Sequence, residues 1–401
     1  MKDRLYYQDA YIQEFNATVT NRGIDPIGNY IELSKTAFYP TGGGQPCDTG
    51  MIQGICVTQV EEVDGQIRHY LESPLPEDVA EIEGRIDWAR RFDHMQQHNG
   101  QHILSAAFYH QADIATIGFH LGKEIVTIDL DTAELTEDLV RSVEDVANQM
   151  VVNNRPIEAR FVSQEELAKM PIRKAPTVTE NIRMVIIPDF DYNLCGGTHP
   201  RFTGEVGMIK VIGWERNKGK IRLSFVSGSR VLGLLRDKMD VLQSLTRLLT
   251  CGEGELLHNM TRVLDEQKDS TRQLQEARLQ LMEYEISELR EQAITHQGMH
   301  IITKVLDQAS MQELQRMAQT ITARFEDSVV LLASEGERTQ LVFARGQGIS
   351  LDATQLLKQV LPLIDGKGGG KPEMGQGGGA GTVSGETIIK HALELIVSSD
   401  K

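Results

Sequence analysis

The chain is short of cysteine, of long apolar runs and of net positive charge, and each shortage removes a class of protein. Four cysteines in 401 residues, Cys47, Cys56, Cys195 and Cys251, have neither the density nor the spacing of a disulfide framework, so a reducing compartment is expected. The opening M-K-D-R-L-Y-Y-Q-D is followed by no apolar h-region, which speaks against a signal peptide. The longest apolar stretches, at 328–333 and 393–397, fall far below the roughly 20 residues of a membrane span. A cytoplasmic protein is expected. With 41 Lys and Arg against 57 Asp and Glu, the formal charge of -16 opposes indiscriminate coating of nucleic acid. Several motifs are also missing. P-T-G-G-G-Q-P at 40–46 lacks the lysine and spacing of a phosphate-binding P-loop. Asn99 and Gly100 follow His98, so the H-E-x-x-H of a metalloprotease is absent, and the Asp and His clusters of a two-metal phosphoesterase are absent as well.

What remains has an ordered layout. Short β-compatible stretches at 17–21, 28–34, 50–61 and 66–71, separated by glycine-bearing turns, predict a small barrel or strongly curved sheet over 1–90. Helical patterns at 92–111 and 134–153, with strands near 118–129, 182–187, 205–214 and 220–226, predict an α+β domain over 91–235. A helix up to Leu249 breaks at C-G-E-G-E, and Met260, Val263, Gln267, Ser270, Leu274, Ala277, Leu281 and Tyr284 then follow steps of three and four. A helical coiled-coil segment is expected over 236–297. The last part, 298–401, alternates strands at 329–334 and 341–344 with helices at 311–325, 352–364 and 384–396, the pattern of a small α/β domain. Its glycine-dense stretch at 366–381 is expected to be a mobile linker or a loop presenting backbone N–H groups to an anion, because ordered glycine carries extra entropic cost.

Two separated ligand pairs carry the chemistry. His98 and His102 stand four apart on a predicted helix, which places both imidazoles on one face. Cys195 and His199 also stand four apart, in the turn-forming C-G-G-T-H. Thiolate and imidazole suit zinc, and four protein ligands ordinarily make a closed site whereas a catalytic ion keeps a position open. His94, one turn ahead of His98, is a further candidate ligand. In the glycine turn, Gln45 offers an amide that both donates and accepts, and Thr36 lies nearby in sequence with a hydroxyl. Two positive clusters interrupt the acidic chain. Lys210, Arg216, Lys218, Lys220 and Arg222 crowd one stretch, and Lys367 and Lys371 punctuate the glycine run.

F-Y-P-T-G-G-G-Q-P-C-D-T-G, H-N-G-Q-H and C-G-G-T-H resemble the motifs of the alanyl-tRNA editing proteins, stand-alone relatives of the editing domain of alanyl-tRNA synthetase. The terminal G-K-G-G-G-K-P-E-M-G-Q-G-G-G is similar to the signature of the domain that follows the editing unit in that synthetase, and to one found in certain phosphoesterases. The resemblance runs from residue 38 to 379 and implies a zinc-containing α+β editing domain. It further implies hydrolysis of the ester joining a wrong amino acid, chiefly serine with glycine as the further candidate, to alanine-specific tRNA. His98, His102, Cys195 and His199 would then hold zinc, with Thr36 and Gln45 at the substrate pocket. The basic residues Lys218, Lys220, Arg222, Lys367 and Lys371 are candidates for RNA phosphate, and a homodimer through the helical segment or the C-terminal domain is expected. With the editing-like region starting at the beginning of the chain, editing without charging of tRNA is the expectation. The competing reading is a zinc-stabilised tRNA-binding or assembly protein without catalysis.

Overall fold

The computed structural model describes residues 3–172, 181–380 and 383–398. The chain divides into two compact units, Met1–Leu248 and Leu249–Lys401.

The first unit opens with a closed six-stranded antiparallel barrel. Its strands are β1 (Glu14–Ile24), β2 (Asn29–Leu33), β3 (Gly50–Ile52), β4 (Ile55–Val63), β5 (Gln66–Leu71) and β6 (Glu81–Ile86), in the order β1-β2-β5-β4-β3-β6. Alternation explains the closure: Phe15 and Ala17 of β1, and Ile82 and Ile86 of β6, point inward onto Ile31, Phe38, Ile52 and Val60. A barrel leaves no unpaired edge, so this small sheet needs no cover. The predicted strand at 50–61 is two strands, because Gln53 and Gly54 adopt positive φ and turn the chain back.

Helix α1 (Trp88–Ala112) follows, started by Asp87, whose carboxylate accepts from the Arg90 N–H. It is buried from His94 to Phe108, although much of that stretch is polar. Buried polar groups need partners, and most of these have them, His94 Nδ1 and Asn99 Nδ2 being exceptions. Gln97 exchanges two 2.8 Å bonds with the backbone of Ser227, and Gln96 donates to the Glu205 carbonyl at 2.9 Å. Fully buried Arg91 forks onto Asp48 and also donates to the carbonyls of Ala10 at 2.7 Å and Ala37 at 2.6 Å. This clamp fixes the helix to the segment that carries the glycine turn. Around α1 lie a four-stranded sheet, β7 (Thr116–Leu121), β8 (Val126–Leu130), β12 (Ile209–Asn217) and β13 (Lys220–Ser227), and a three-stranded one, β9 (Glu158–Phe161), β10 (Arg183–Ile187) and β11 (Asp191–Leu194). Helix α2 (Glu137–Val152) packs on the same core. The predicted strand at 205–214 starts later, since Thr203–Val206 is a 3-10 turn. Helix α3 (Ser229–Leu249) closes the unit.

The second unit contains α4 (Leu256–Glu291), then β14 (Ile294–His296), β15 (Met299–Asp307), α5 (Met311–Arg324), β16 (Ser328–Glu335), β17 (Arg338–Arg345), α6 (Ala353–Val360), β18 (Lys367–Lys371), β19 (Met374–Ala380) and α7 (Gly385–Ser398). The sheet order is β14-β15-β16-β17-β19-β18, with β15 and β16 parallel across the α5 crossover. Leu314, Met317 and Ile321 cover one face, and Leu357, Val360, Ile388 and Ala392 the other. Burial on both faces explains the unbroken apolar run of β16.

The glycine-dense stretch corrects the expectation of a linker or loop. Residues 367–371 and 374–380 form the paired strands β18 and β19 inside the sheet, with Gly381 outside the described residues. Packing explains it. A Cβ on Gly379 would lie 2.1 Å from the Ile364 carbonyl oxygen, and one on Gly377 would lie 2.8 Å from Leu361 Cδ2. Glycine is there because the chain after α6 approaches the sheet at backbone distance. On α4 the heptad positions Met260, Leu274, Leu281 and Tyr284 are exposed, and Ile286 is the buried residue of the helix among those described.

Candidate metal centre

His98 and His102 project from the middle of α1, and Cys195 and His199 come from the loop after β11. One ligand atom from each lies within 4.8 Å of all the others. The Cys195 sulfur is 3.3 Å from His98 Nε2 and 3.2 Å from His199 Nε2. A tetrahedral site with metal–nitrogen bonds of about 2.0 Å and metal–sulfur bonds of about 2.3 Å has edges of roughly 3.3–3.6 Å. The donor set is three imidazoles and one thiol.

Each histidine is held from behind by its other nitrogen. His98 Nδ1 meets Gln45 Oε1 at 2.9 Å, His102 Nδ1 meets Asp191 Oδ2 at 3.2 Å, and His199 Nδ1 meets Asn99 Oδ1 at 3.0 Å. Partners of this kind fix the ring and its tautomer, leaving Nε2 facing the centre. Phe119 stacks on His98 at 5.2 Å. Gln45 does more than hold His98. Its Nε2 donates to Thr198 Oγ1 at 2.8 Å, and its Oε1 accepts from the Thr198 N–H at 3.1 Å, so the glycine turn and the C-G-G-T-H loop are stitched together. Buried Arg183 secures the loop from the other side, donating to the carbonyls of Cys195 and Gly197 at 2.8 Å each. Gly197 is needed for closeness, since a Cβ there would lie 2.3 Å from His98 Cε1.

The site's protonation follows from this geometry. Burial works to raise the Cys195 thiol, but the imidazoles of His98 and His199 and the hydrogen bonds from His102 and His199 hold it well below its ordinary value. Burial disfavours charge on His102, yet the Asp191 carboxylate and the Cys195 sulfur raise it to about 9. Burial pushes His199 down to about 3. Cys195 and His102 thus favour a thiolate beside an imidazolium, an arrangement in which a divalent cation replaces a proton.

Two curated proteins settle the lineage. An alanyl-tRNA editing protein AlaX-L from Pyrococcus horikoshii is 30% identical over 386 residues, 94% of each chain. The alanyl-tRNA editing protein Aarsd1 of Mus musculus is 31% identical over 295 residues, 69% of this chain and 70% of that one. The chain belongs to the alanyl-tRNA editing protein family. An alanine–tRNA ligase from Methanoregula boonei is also 32% identical over 94% of this chain, which spans 41% of the ligase. Two family models match, the threonyl and alanyl tRNA synthetase second additional domain at residues 182–224 and the DHHA1 domain at residues 298–398. The first of these stretches contains Cys195 and His199.

The remaining candidates in this editing-family chain lie as follows. Thr36 is buried in the barrel, its Oγ1 2.8 Å from His69 Nε2 and accepting from the Phe38 N–H at 3.1 Å. None of these contacts reaches the four-residue cluster. His94 is outside the cluster, buried with its Nδ1 unpartnered and its pKa pushed down to about 4 by burial. On the β12–β13 hairpin, Lys220 pairs with Asp131, Arg222 with Asp129 at 2.8 Å and Arg216 with Glu134 at 3.3 Å, which neutralises much of that cluster. Lys367 and Lys371 end the exposed edge strand β18. Sequence reasoning missed Asp191, Asn99 and Arg183. Asn99 sits inside H-N-G-Q-H and was within reach, whereas Asp191 and Arg183 carry no spacing signal.

Proposed function

We propose that this chain is an aminoacyl-tRNA deacylase, hydrolysing the ester that joins a wrong amino acid, chiefly serine with glycine as the further candidate, to alanine-specific tRNA. The observation that carries the reading is a buried cluster of three imidazoles and a thiolate, braced by the glycine turn, in a chain aligned nearly end to end with an editing protein. We assign zinc to His98, His102, Cys195 and His199 because the donors match its preference for nitrogen and sulfur and no carboxylate enters the set. Zinc held there would supply a Lewis-acid anchor for the substrate's amine and terminal ribose once one of the four protein ligands gives up its position.

An aminoacyl ester is already activated, so the protein needs mainly to orient it and admit water to its carbonyl. Gln45 holds His98 and the C-G-G-T-H loop together. Thr36 reads the side chain. A serine hydroxyl satisfies its oxygen, and an alanine methyl leaves it unpaired, a sharper distinction than size alone provides. Lys218, Lys220, Arg222, Lys367 and Lys371 are assigned to tRNA phosphate, Lys220 and Arg222 by exchanging their carboxylate partners. The exposed apolar stripe of α4 supports a homodimer formed through a coiled coil over 236–297. In this scheme 1–90 and 91–235 form the catalytic part and 298–401 an accessory domain, all in the cytoplasm.

The test is incubation with separately prepared seryl-, glycyl- and alanyl-tRNA, with zinc and after chelation. Loss of the seryl ester, sparing of the alanyl ester and dependence on metal are expected. Zinc-loaded protein that binds tRNA and leaves the seryl ester intact would replace this reading with a non-catalytic binder. Thr36→Val is expected to lose seryl hydrolysis selectively, and equal loss on all esters rejects its role as reader.

A further inference from the structure

A buried histidine in the barrel stands behind Thr36 and has no part in the metal cluster. His69, on β5, is fully enclosed, its ring edge-on to Phe38 at 5.6 Å. Its Nδ1 lies 3.2 Å from the Ile31 carbonyl oxygen, and its Nε2 lies 2.8 Å from Thr36 Oγ1.

We propose that His69 is a positioning residue that commits the Thr36 proton, so that Thr36 meets the aminoacyl group only as a hydrogen-bond acceptor. The proposal rests on the reading of Thr36 given above. The argument is one of donor and acceptor counting. A carbonyl oxygen only accepts, so His69 Nδ1 carries the ring proton and donates to Ile31. Burial pushes the pKa of this imidazole down to about 4, so the ring is neutral near pH 7 and Nε2 is a bare acceptor. The partner of Nε2 is the Thr36 hydroxyl, which therefore donates its proton there. The Phe38 N–H fills one lone pair of the same oxygen. One lone pair remains, and no proton.

Thr36 is 3% exposed, so a group that reaches it has been stripped of water and must satisfy that lone pair or leave it empty. A seryl hydroxyl donates to it. An alanyl methyl offers nothing. Between seryl and alanyl esters the one with a donor on its β-carbon is thus selected, and polarity without a donor does not suffice.

The experiment compares seryl- and alanyl-tRNA hydrolysis by the full-length wild-type protein, Thr36→Val, His69→Phe and His69→Gln, together with nitrogen-15 spectra of the histidines. The wild-type spectrum is expected to show His69 protonated at Nδ1 and bare at Nε2, with the Nε2 signal shifted in Thr36→Val. His69→Phe, which keeps a flat ring, though a larger one, and removes the acceptor, is expected to lower the seryl-to-alanyl ratio of kcat/KM about tenfold, the worth of one aligned hydrogen bond. His69→Gln, which retains an acceptor oxygen, is expected to recover part of that ratio. A ring protonated at Nε2 would overturn the proposal. So would a His69→Phe enzyme that slows both esters equally while Thr36→Val slows the seryl ester alone. If His69→Phe does not fold, the wild-type spectrum and His69→Gln decide the matter. Wild-type protein inert on the seryl ester, or Thr36→Val with an unchanged ratio, would remove the underlying reading and this proposal with it.

Discussion

Replacing Gly197 with alanine would put a methyl carbon 2.3 Å from His98 Cε1, 2.5 Å from His98 Nδ1 and 2.8 Å from Gln45 Oε1. Carbon atoms in good contact stand about 3.5–4.0 Å apart, so something must retreat by roughly 1 Å. His98 cannot, lying within the stretch of the helix buried from His94 to Phe108, and Gln45 is pinned by bonds of 2.8, 2.9 and 3.1 Å. The loop bearing Cys195 and His199 must therefore move. Ligand distances in metal sites hold to about 0.2 Å, so a shift of that size removes at least one ligand. Zinc affinity should fall by about 100-fold or more, and the metal-free protein should lose about 1–3 kcal/mol to overpacking. Gly196→Ala is the matched control, since its nearest neighbour is the Tyr7 hydroxyl at 3.4 Å. Competition with a chromogenic chelator measures the first effect and thermal unfolding of metal-free protein the second. A Gly197→Ala protein that matches Gly196→Ala in both would refute the reasoning.

Gln45→Ala removes the partner of His98 Nδ1 and both links to Thr198, and should weaken zinc binding about 10–100-fold in the same chelator assay. Because His102 is raised to about 9, zinc binding at pH 7 should release about one proton, visible as buffer-dependent heat in calorimetry, and affinity should rise with pH until His102 is neutral. In the metal-free protein the stability that protonated His102 contributes is complete below about pH 6.5 and is lost as pH rises through about 9. His69 at about 4, His94 at about 4 and His199 at about 3 act oppositely. Their contribution is present above about pH 6.5 and is lost as pH falls through their folded values, so metal-free stability in urea unfolding should fall as pH drops below about 6.5; between about 6.5 and 9 the gain owed to the lowered Cys195 thiol offsets the loss owed to His102, and stability should be nearly level. In the second unit, Gly379→Ala meets the Ile364 carbonyl oxygen at 2.1 Å and should destabilise it by several kcal/mol, whereas Gly369→Ala meets nothing within 4 Å and should leave thermal unfolding nearly unchanged.

Local pattern determined much here. Short β-compatible stretches between glycine turns made β1, β2, β5 and the β3–β4 region legible as a curved sheet, though β6 was missed; the step of four put His98 and His102 on one helix face, and apolar periodicity marked α2. These are nearest-neighbour properties of the chain, so sequence alone specifies them. Contacts between distant segments were decided by the tertiary structure. Asp191 became the partner of His102, Gln45 the brace of His98 and Thr198, and His69 the partner of Thr36, across separations of 89, 53 and 33 residues. The glycine run shows the same division. Its composition signalled freedom, but the close approach of Ile364 and Leu361 makes it a strand pair, because a missing side chain also serves where another piece of backbone needs the space.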